Sequence, residues 1–272
     1  MLSIRKAAVA GQFYPGDPLQ LQEMISALLS EADMSDHNSD SSEHKSVQPK
    51  AIIVPHAGYI YSGLVAASAF VSLLPFRKKI TRIVLLGPSH RVGFSGLAVS
   101  SADSFQTPLG DIPVDKESVA QILSLPQVSS MDEAHQFEHS LEVELPFLQE
   151  VLDDFRLIPI VVGDTDAPSV SEVLELLWGS EETLIVISSD LSHFHDYKTA
   201  QQRDEVTCQA IESLSPELIN DDDACGRNPI KGMLVSAQKH HLRVTTLALC
   251  NSGDTAGDKA RVVGYGAWAL TP

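Results

Sequence analysis

Three histidines in this chain follow directly on apolar runs, the position from which a parallel sheet presents side chains to a ligand. Ala51-Ile52-Ile53-Val54 runs into Pro55-His56, and Arg82-Ile83-Val84-Leu85-Leu86 into Gly87-Pro88-Ser89-His90. Thr183-Leu184-Ile185-Val186-Ile187 leads to Ser188-Ser189-Asp190-Leu191-Ser192-His193. In open α/β sheets ligands sit outside the carboxyl ends of the strands, so three strands that each deliver a histidine there point to one shared site. Imidazole binds transition metals through a neutral nitrogen, while its other nitrogen needs an acceptor of its own. Asp190, Ser89, Ser189 and Ser192 stand close enough in sequence to be those acceptors. Any one of the histidines alone would read as a satisfied structural residue; their common placement is what argues for a site.

Cys225 is the next candidate. It lies in Asp221-Asp222-Asp223-Ala224-Cys225-Gly226, a turn ahead of a helix carrying Pro229 near its start. A helix N-terminus or a bound metal lowers a thiol's pKa, which would make a thiolate ligand favourable here. Cys208, inside an amphipathic stretch, and Cys250, in an apolar one, read as small packing residues. Three cysteines are too few and too odd in number for a disulfide framework, which fits a reducing compartment.

The elements that must position these groups alternate between strand and helix. Asp17-Pro18-Leu19-Gln20 opens a helix with a capping Asp and Pro at its first position. Residues 34–50 are rich in Ser, Asp, Asn, Glu and His, and predict a flexible surface loop in which His37 and His44 are solvated. Ser62 to Leu74 predicts a helix ended by Pro75. Leu97-Ala98-Val99 and Ile112-Pro113-Val114 predict short strands outside the main parallel set. Leu157 to Gly163 predicts another buried strand, and Pro168 to Trp178 and Lys198 to Leu214 predict helices. Two terminal strands, Val244 to Leu249 and Arg261 to Leu270, are joined by a Gly- and Asp-rich turn. The pattern predicts one domain over 1–272, a three-layer α/β/α sandwich around a mainly parallel sheet.

Composition narrows the function classes. The chain has 272 residues, 43% of them hydrophobic and 20% charged, as expected of a soluble globular protein. Its formal net charge of −17 argues against nucleic acid or anionic membrane as partners, which need clustered Lys and Arg. Met1-Leu2-Ser3-Ile4-Arg5-Lys6 lacks the apolar core of a signal peptide, and no apolar stretch of the sequence reads as a bilayer span, so the cytoplasm is the expected compartment. A serine hydrolase using Ser192 or Ser140 is disfavoured by the absence of a Gly-x-Ser-x-Gly elbow.

Several motifs in order resemble those of the Memo family (AmmeMemoRadiSam system protein B). They are Ile53-Val54-Pro55-His56-Ala57-Gly58-Tyr59, Leu86-Gly87-Pro88-Ser89-His90, Glu138-His139-Ser140-Leu141-Glu142, Ser188-Ser189-Asp190-Leu191-Ser192-His193 and Cys225-Gly226. The resemblance extends from Gly11-Gln12-Phe13-Tyr14-Pro15 to Gly264-Tyr265-Gly266. It implies a fold similar to the class III extradiol dioxygenases, whose non-haem Fe(II) is held by two histidines and a carboxylate. On that resemblance His56, His90 and Cys225 are the metal ligands, with cysteine in place of the carboxylate. His193, Asp190 and His139 are the proton-handling and cleft residues. The implied cofactor is non-haem iron, with copper or zinc as alternatives that a softer thiolate also suits. The implied functions are a redox-related metal protein, a peptide-binding adaptor that uses the same cleft, or an extradiol-type dioxygenase. The expected ligand is a small molecule or a peptide in the strand-end cleft. Tyr14, Tyr59 and Tyr61 are candidate walls of that cleft.

Overall fold

A computed structural model describes residues 2–37 and 47–272. The strands are β1 (Ile4–Arg5), β2 (Ala51–Val54), β3 (Arg82–Pro88), β4 (Leu97–Val99), β5 (Ser104–Thr107), β6 (Gly110–Pro113), β7 (Val128–Ser130), β8 (Arg156–Val162), β9 (Thr183–Ser188), β10 (His193–His195), β11 (Arg243–Asn251) and β12 (Val262–Thr271). The helices are α1 (Pro18–His37), α2 (Tyr59–Phe70), α3 (Lys116–Ile122), α4 (Asp132–Gln136), α5 (Leu145–Val151), α6 (Ala167–Leu177), α7 (Tyr197–Glu212) and α8 (Arg227–Lys239). Among the described residues the large sheet runs β10-β12-β2-β9-β3-β8-β4-β7, with β11 paired to β12.

Its centre, β2-β9-β3-β8, is wholly parallel. These strands are apolar without alternation, and apart from the residues that open β3 and β8 every position in them is buried, because helices cover both faces. Helix α2 packs on β11, β12 and β2 with α1 and α5 outside it; α8 packs on β3 and β9 with α6 beside it, and α7 lies against β11 and β12. The parallel sheet predicted from the sequence is therefore its core. Both flanks turn antiparallel, with β12 against β2 and β4 against β8. Strand β4 thus lies outside the parallel set, as the sequence pattern has it, yet joins the same sheet through its antiparallel pairing with β8. The hairpin β5-β6 stands apart in a small sheet with β1.

Two further differences concern helices. The first helix continues to His37, into the segment expected as a loop; the rest of that expectation, with His44, lies largely outside the described residues. Pro75 does not end the second helix at once, because the chain passes from α2 into a 3₁₀ turn, Val71–Phe76, that holds the proline inside it. Together these make an 18-residue run, Tyr59–Phe76, with mean hydropathy 1.6, long and apolar enough to cross a membrane by length and composition. That run is 56% buried within the protein, which accounts for its apolar character as core packing.

A buried ion pair ties the amino-terminal segment to the loop between α4 and α5. The Arg5 guanidinium contacts Glu142, and both side chains are nearly inaccessible. Glu142 also accepts from the backbone N–H of Ala8 (2.8 Å) and Val9 (3.0 Å) and from the Tyr14 hydroxyl (2.6 Å). Arg5 in turn donates to the carbonyls of His135 and Glu138. Removing one partner of a buried pair leaves an uncompensated charge, which costs about 3–5 kcal/mol. Glu142→Ala is expected to lower the urea-unfolding free energy by roughly that amount; a loss below about 1 kcal/mol, the worth of an exposed pair, would contradict this account.

Candidate functional site

The three histidine strands end at one rim. Strands β2, β9 and β3 are in register, with Ile53 and Leu86 both opposite Ile187, so the residues that follow them emerge at the same height. His56 is buried at the end of β2, His90 is an exposed residue after β3 whose side chain is 28% accessible, and His193 starts β10 just beyond β9. His139 reaches the same place from the loop between α4 and α5. That loop seats closely because residue 87 is glycine: a Cβ there would lie 2.8 Å from Ser140 Oγ and 3.0 Å from Leu141 Cδ2.

One ligand atom from each of His56, His90 and His139 lies within 4.8 Å of the others. The ring centroids are 5.2 Å apart for His56–His90, 5.4 Å for His56–His139 and 4.6 Å for His90–His139. Such closeness disfavours charge on His56, the buried ring of the three. Burial first, and then repulsion from His90 and His139, holds the His56 imidazole well below its usual pKa, so it is neutral at physiological pH. A neutral imidazole is the form that ligates.

The outer nitrogens of two rings are already occupied. His56 Nδ1 is 2.7 Å from Ser188 Oγ, and His90 Nδ1 is 2.9 Å from Glu138 Oε1. That leaves Nε2 of each ring for the cluster. Glu138 Oε1 also accepts from the backbone N–H of His139 (2.9 Å) and Ser140 (3.0 Å), and Oε2 accepts from His90 N–H. Burial alone would raise this carboxyl, but the contacts from His139 and His90 hold it well below the usual carboxylate range. It is thus an ionised acceptor of the kind that orients a metal-binding histidine. His139 Nδ1 lies 3.2 Å from Glu138 Oε1 but out of line for a hydrogen bond, and it is buried without a partner. Phe13 packs on the His139 ring at 4.7 Å.

Cys225 joins the group through His56, with Sγ 3.4 Å from Nε2. Its turn is clamped on the end of β9: Cys225 N–H donates to Asp190 O (3.2 Å), Asp190 N–H donates to Sγ (3.3 Å) and Gly226 N–H donates to Ser189 Oγ (2.9 Å). Only glycine fits at 226, where a Cβ would sit 2.6 Å from Ser189 Cβ. The helix start does not make this thiol acidic as the sequence had suggested. Burial first, and then the Asp190 charge, pushes it well above the usual thiol value. Without a nearby cation it stays a thiol.

Asp190 Oδ1 accepts from the backbone N–H of His56 (2.8 Å) and Ala57 (3.3 Å), so it shapes the end of β2 and is no ring acceptor. Burial raises its pKa, against the pull of His193. His193 Nδ1 is 2.7 Å from the Leu191 carbonyl, which accepts its proton and leaves Nε2 as the basic nitrogen. Of the expected acceptors, Ser89 donates to Val92 O and Ser189 to Asp190 O, while Ser192 Oγ is buried without a partner. Ser140 Oγ donates to Pro88 O. Neither Ser140 nor Ser192 Oγ meets a histidine, as a hydrolase triad would need. Tyr14 and Tyr59 are buried and spend their hydroxyls on Glu142 and on the Val143 carbonyl (2.7 Å), so they pack beneath the cleft instead of walling it. Cys208 is buried in α7, and Cys250 is half-buried.

The roles of Glu138 and Ser188 were not read from the sequence. Glu138 opens a motif already singled out, and a carboxylate beside a site histidine is a recognisable signal. Ser188 has none, since its partners come from distant segments.

The comparisons with known proteins agree on kinship. A family model described as "Memo-like protein" matches residues 5–269. A "MEMO1 family protein" of Aquifex aeolicus is 34% identical over 276 residues, covering 97% of this chain and 98% of the relative. One from Metallosphaera sedula is 33% identical over 279 residues, covering 96% and 97%. Among solved structures, the crystal structure of an uncharacterized Escherichia coli K12 protein is similar in fold, with TM-score 0.52 at 14% identity, covering 80% of this chain and 98% of that one. With its motifs in order, its sheet and its histidine cluster at the sheet rim, the chain belongs to the Memo family.

Proposed function

We propose that the protein binds a transition-metal ion, in the leading reading a redox-active one, through His56, His90 and Cys225. The observation that carries this reading is the convergence of imidazole nitrogens within 4.8 Å, with Cys225 Sγ 3.4 Å from His56 Nε2. The donor chemistry fits: the His56 and His90 rings have their Nδ1 atoms occupied, which leaves Nε2 of each for an ion, and a thiol can ionise once a cation is near. Non-haem iron is the leading ion, with copper and zinc suited by the same donors. When bound, such an ion supplies Lewis acidity and, for iron or copper, electron transfer.

The chain's own residues complete the chemistry. Glu138 holds His90 in place; Asp190 holds the backbone of His56; His193, with a basic Nε2, accepts or returns a proton from a ligand in the cleft. His139 is a competing donor, because it belongs to the three-histidine group whereas Cys225 touches only His56 in that group. The ligand is a small molecule or a peptide lying over the strand ends. The charge of −17 disfavours nucleic acid and membrane surfaces, and the reading is of a cytoplasmic protein.

Metal analysis tests this directly. Protein purified without chelator is expected to carry iron, copper or zinc near one ion per chain, and the His56→Ala, Cys225→Ser double variant to carry none above background. Cys225→Ser alone is expected to weaken binding strongly and His139→Ala weakly; the reverse order would transfer the third position to His139. Equal metal content in parent and double variant would end the proposal.

A second prediction concerns Glu138 and pH. Its carboxyl is depressed in the folded protein, so it contributes stability that is present above its ordinary value near 4.5 and lost as pH falls below it. The parent is therefore expected to be more stable than Glu138→Gln at pH 7, with the gap in urea midpoint shrinking as pH falls below about 4.5. A gap unchanged from pH 7 to pH 3 would show that the carboxylate charge contributes nothing.

A further inference from the structure

The hydroxyl that closes β9 touches three groups at once. Ser188 Oγ lies 2.6 Å from the Ser140 carbonyl, 2.7 Å from His56 Nδ1 and 2.9 Å from Glu144 Oε1, and Ser188, Ser140 and Glu144 are wholly buried. A serine hydroxyl has one proton to give and two lone pairs to receive. The Ser140 carbonyl can only accept, and it makes the shortest contact, so the Ser188 proton goes there. The other two contacts must then be donated to Ser188, by N–H at His56 Nδ1 and by O–H at Glu144 Oε1.

The surroundings of Glu144 fit the second donation. Its other oxygen, Oε2, is buried with no hydrogen-bond partner, and among the described residues no Lys, Arg or His forms an ion pair with it. An ionised carboxylate left so would be costly, whereas a neutral acid leaves only a carbonyl oxygen short of a partner. Burial accordingly pushes this carboxyl well above its usual range. Glu138 is six residues earlier and equally hidden from solvent, yet it receives several donors and stays ionised.

We propose that Glu144 is a neutral acid donating to Ser188, and that this pair fixes the tautomer of His56 with its proton on Nδ1 and its Nε2 lone pair turned toward Cys225. Glu144 and Ser188 are positioning residues, and they act on whatever binds at Nε2 only through the His56 ring. The consequence for metal affinity rests on the metal-binding reading; the tautomer does not.

The test uses the full chain, metal-free and ¹⁵N-labelled at histidine, with His56 assigned by the loss of its signals in His56→Gln. Long-range ¹H–¹⁵N spectra are expected to show the Nδ1–H tautomer in the parent. Ser188→Ala should convert His56 to Nε2–H or to a mixture. Glu144→Gln, which offers an amide N–H in place of the acid proton, should keep the parent tautomer, whereas Glu144→Leu, which removes the second donor to Ser188 and leaves its hydroxyl free to turn from the Ser140 carbonyl toward His56 Nδ1, should shift His56 toward a mixture of tautomers. Zinc or cobalt titration of the same proteins should show about 10–100-fold weaker binding for Ser188→Ala and Glu144→Leu, with Glu144→Gln close to the parent. A proton on Nε2 in the parent overturns the proposal, and so does an unchanged His56 spectrum in Ser188→Ala. Equal effects of the Gln and Leu changes remove Glu144 from the donor role. If Ser188→Ala does not fold, the parent spectrum and the Glu144 variants decide. Absence of metal binding in all proteins, with the Nδ1–H tautomer present, would sink the metal reading and leave this one standing.

Discussion

Everything at the rim depends on the parallel ladder of β2, β9 and β3. Ile53 and Leu86 flank Ile187 from opposite sides, and Val54 lies opposite Ser188. Because strand side chains alternate between faces, a slip of one residue would turn every buried side chain of a strand to the other face and carry its histidine out of place. The core resists that slip. Ile52, Ile53, Val54, Leu85, Leu86, Val186 and Ile187 are fully buried, and each is worth about 1.5–3 kcal/mol of transfer free energy. Total stability is only about 5–15 kcal/mol for a typical protein. Register is thus fixed by apolar packing below the rim, and the polar residues above it inherit their positions.

Held at that rim, two glutamates of one loop take opposite forms for reasons of hydrogen bonding and not of depth. Both Glu138 and Glu144 are buried. Glu138 faces backbone N–H groups and His90, so negative charge is stabilised there. Glu144 faces Ser188 with one oxygen and nothing with the other, so charge is excluded. Arg5, gripping the carbonyls of His135 and Glu138 from below, keeps the chain from drifting between these environments. An overall charge of −17 says nothing about this arrangement, which is set within a few ångströms.

Local pattern made part of this legible. The apolar runs before His56, His90 and His193 mark buried parallel strands because such strands lack alternation, and a side chain just past their ends has one place to go. The terminal antiparallel pair β11-β12 was equally readable from two long runs joined by a Gly-rich turn. Pairings across long sequence distance were not. Strand β4 has only three residues, and whether it joins the main sheet depends on β8, roughly sixty residues later. Ser188 meets His56 across 132 positions and Glu144 across 44, and no local signal announces either contact. Tyr14 and Tyr59 misled because aromatic residues beside glycine look alike whether they wall a cleft or pack beneath one. Tyr14 is buried by its bond to Glu142, a partner 128 residues away.

Cys225 shows how far the protein scaffold alone can place a thiol beside a histidine. The Asp190 backbone N–H and the Gly226 clamp orient the sulfur within 3.4 Å of His56 Nε2. Those dipoles do not offset burial and the Asp190 carboxylate, so the proton stays on sulfur. His56 is driven the other way by the same burial and loses any proton it gains. The pair therefore rests as thiol beside neutral imidazole, uncharged at the centre of a strongly acidic protein. A thiolate there requires a positive charge to replace the departing proton, since desolvation penalises any net charge left behind. Occupancy of this site by a cation must then release a proton, and affinity must rise with pH until the thiol ionises by itself. The placing of sulfur and imidazole is built in advance, while a thiolate at this position would need a charge that the protein does not supply.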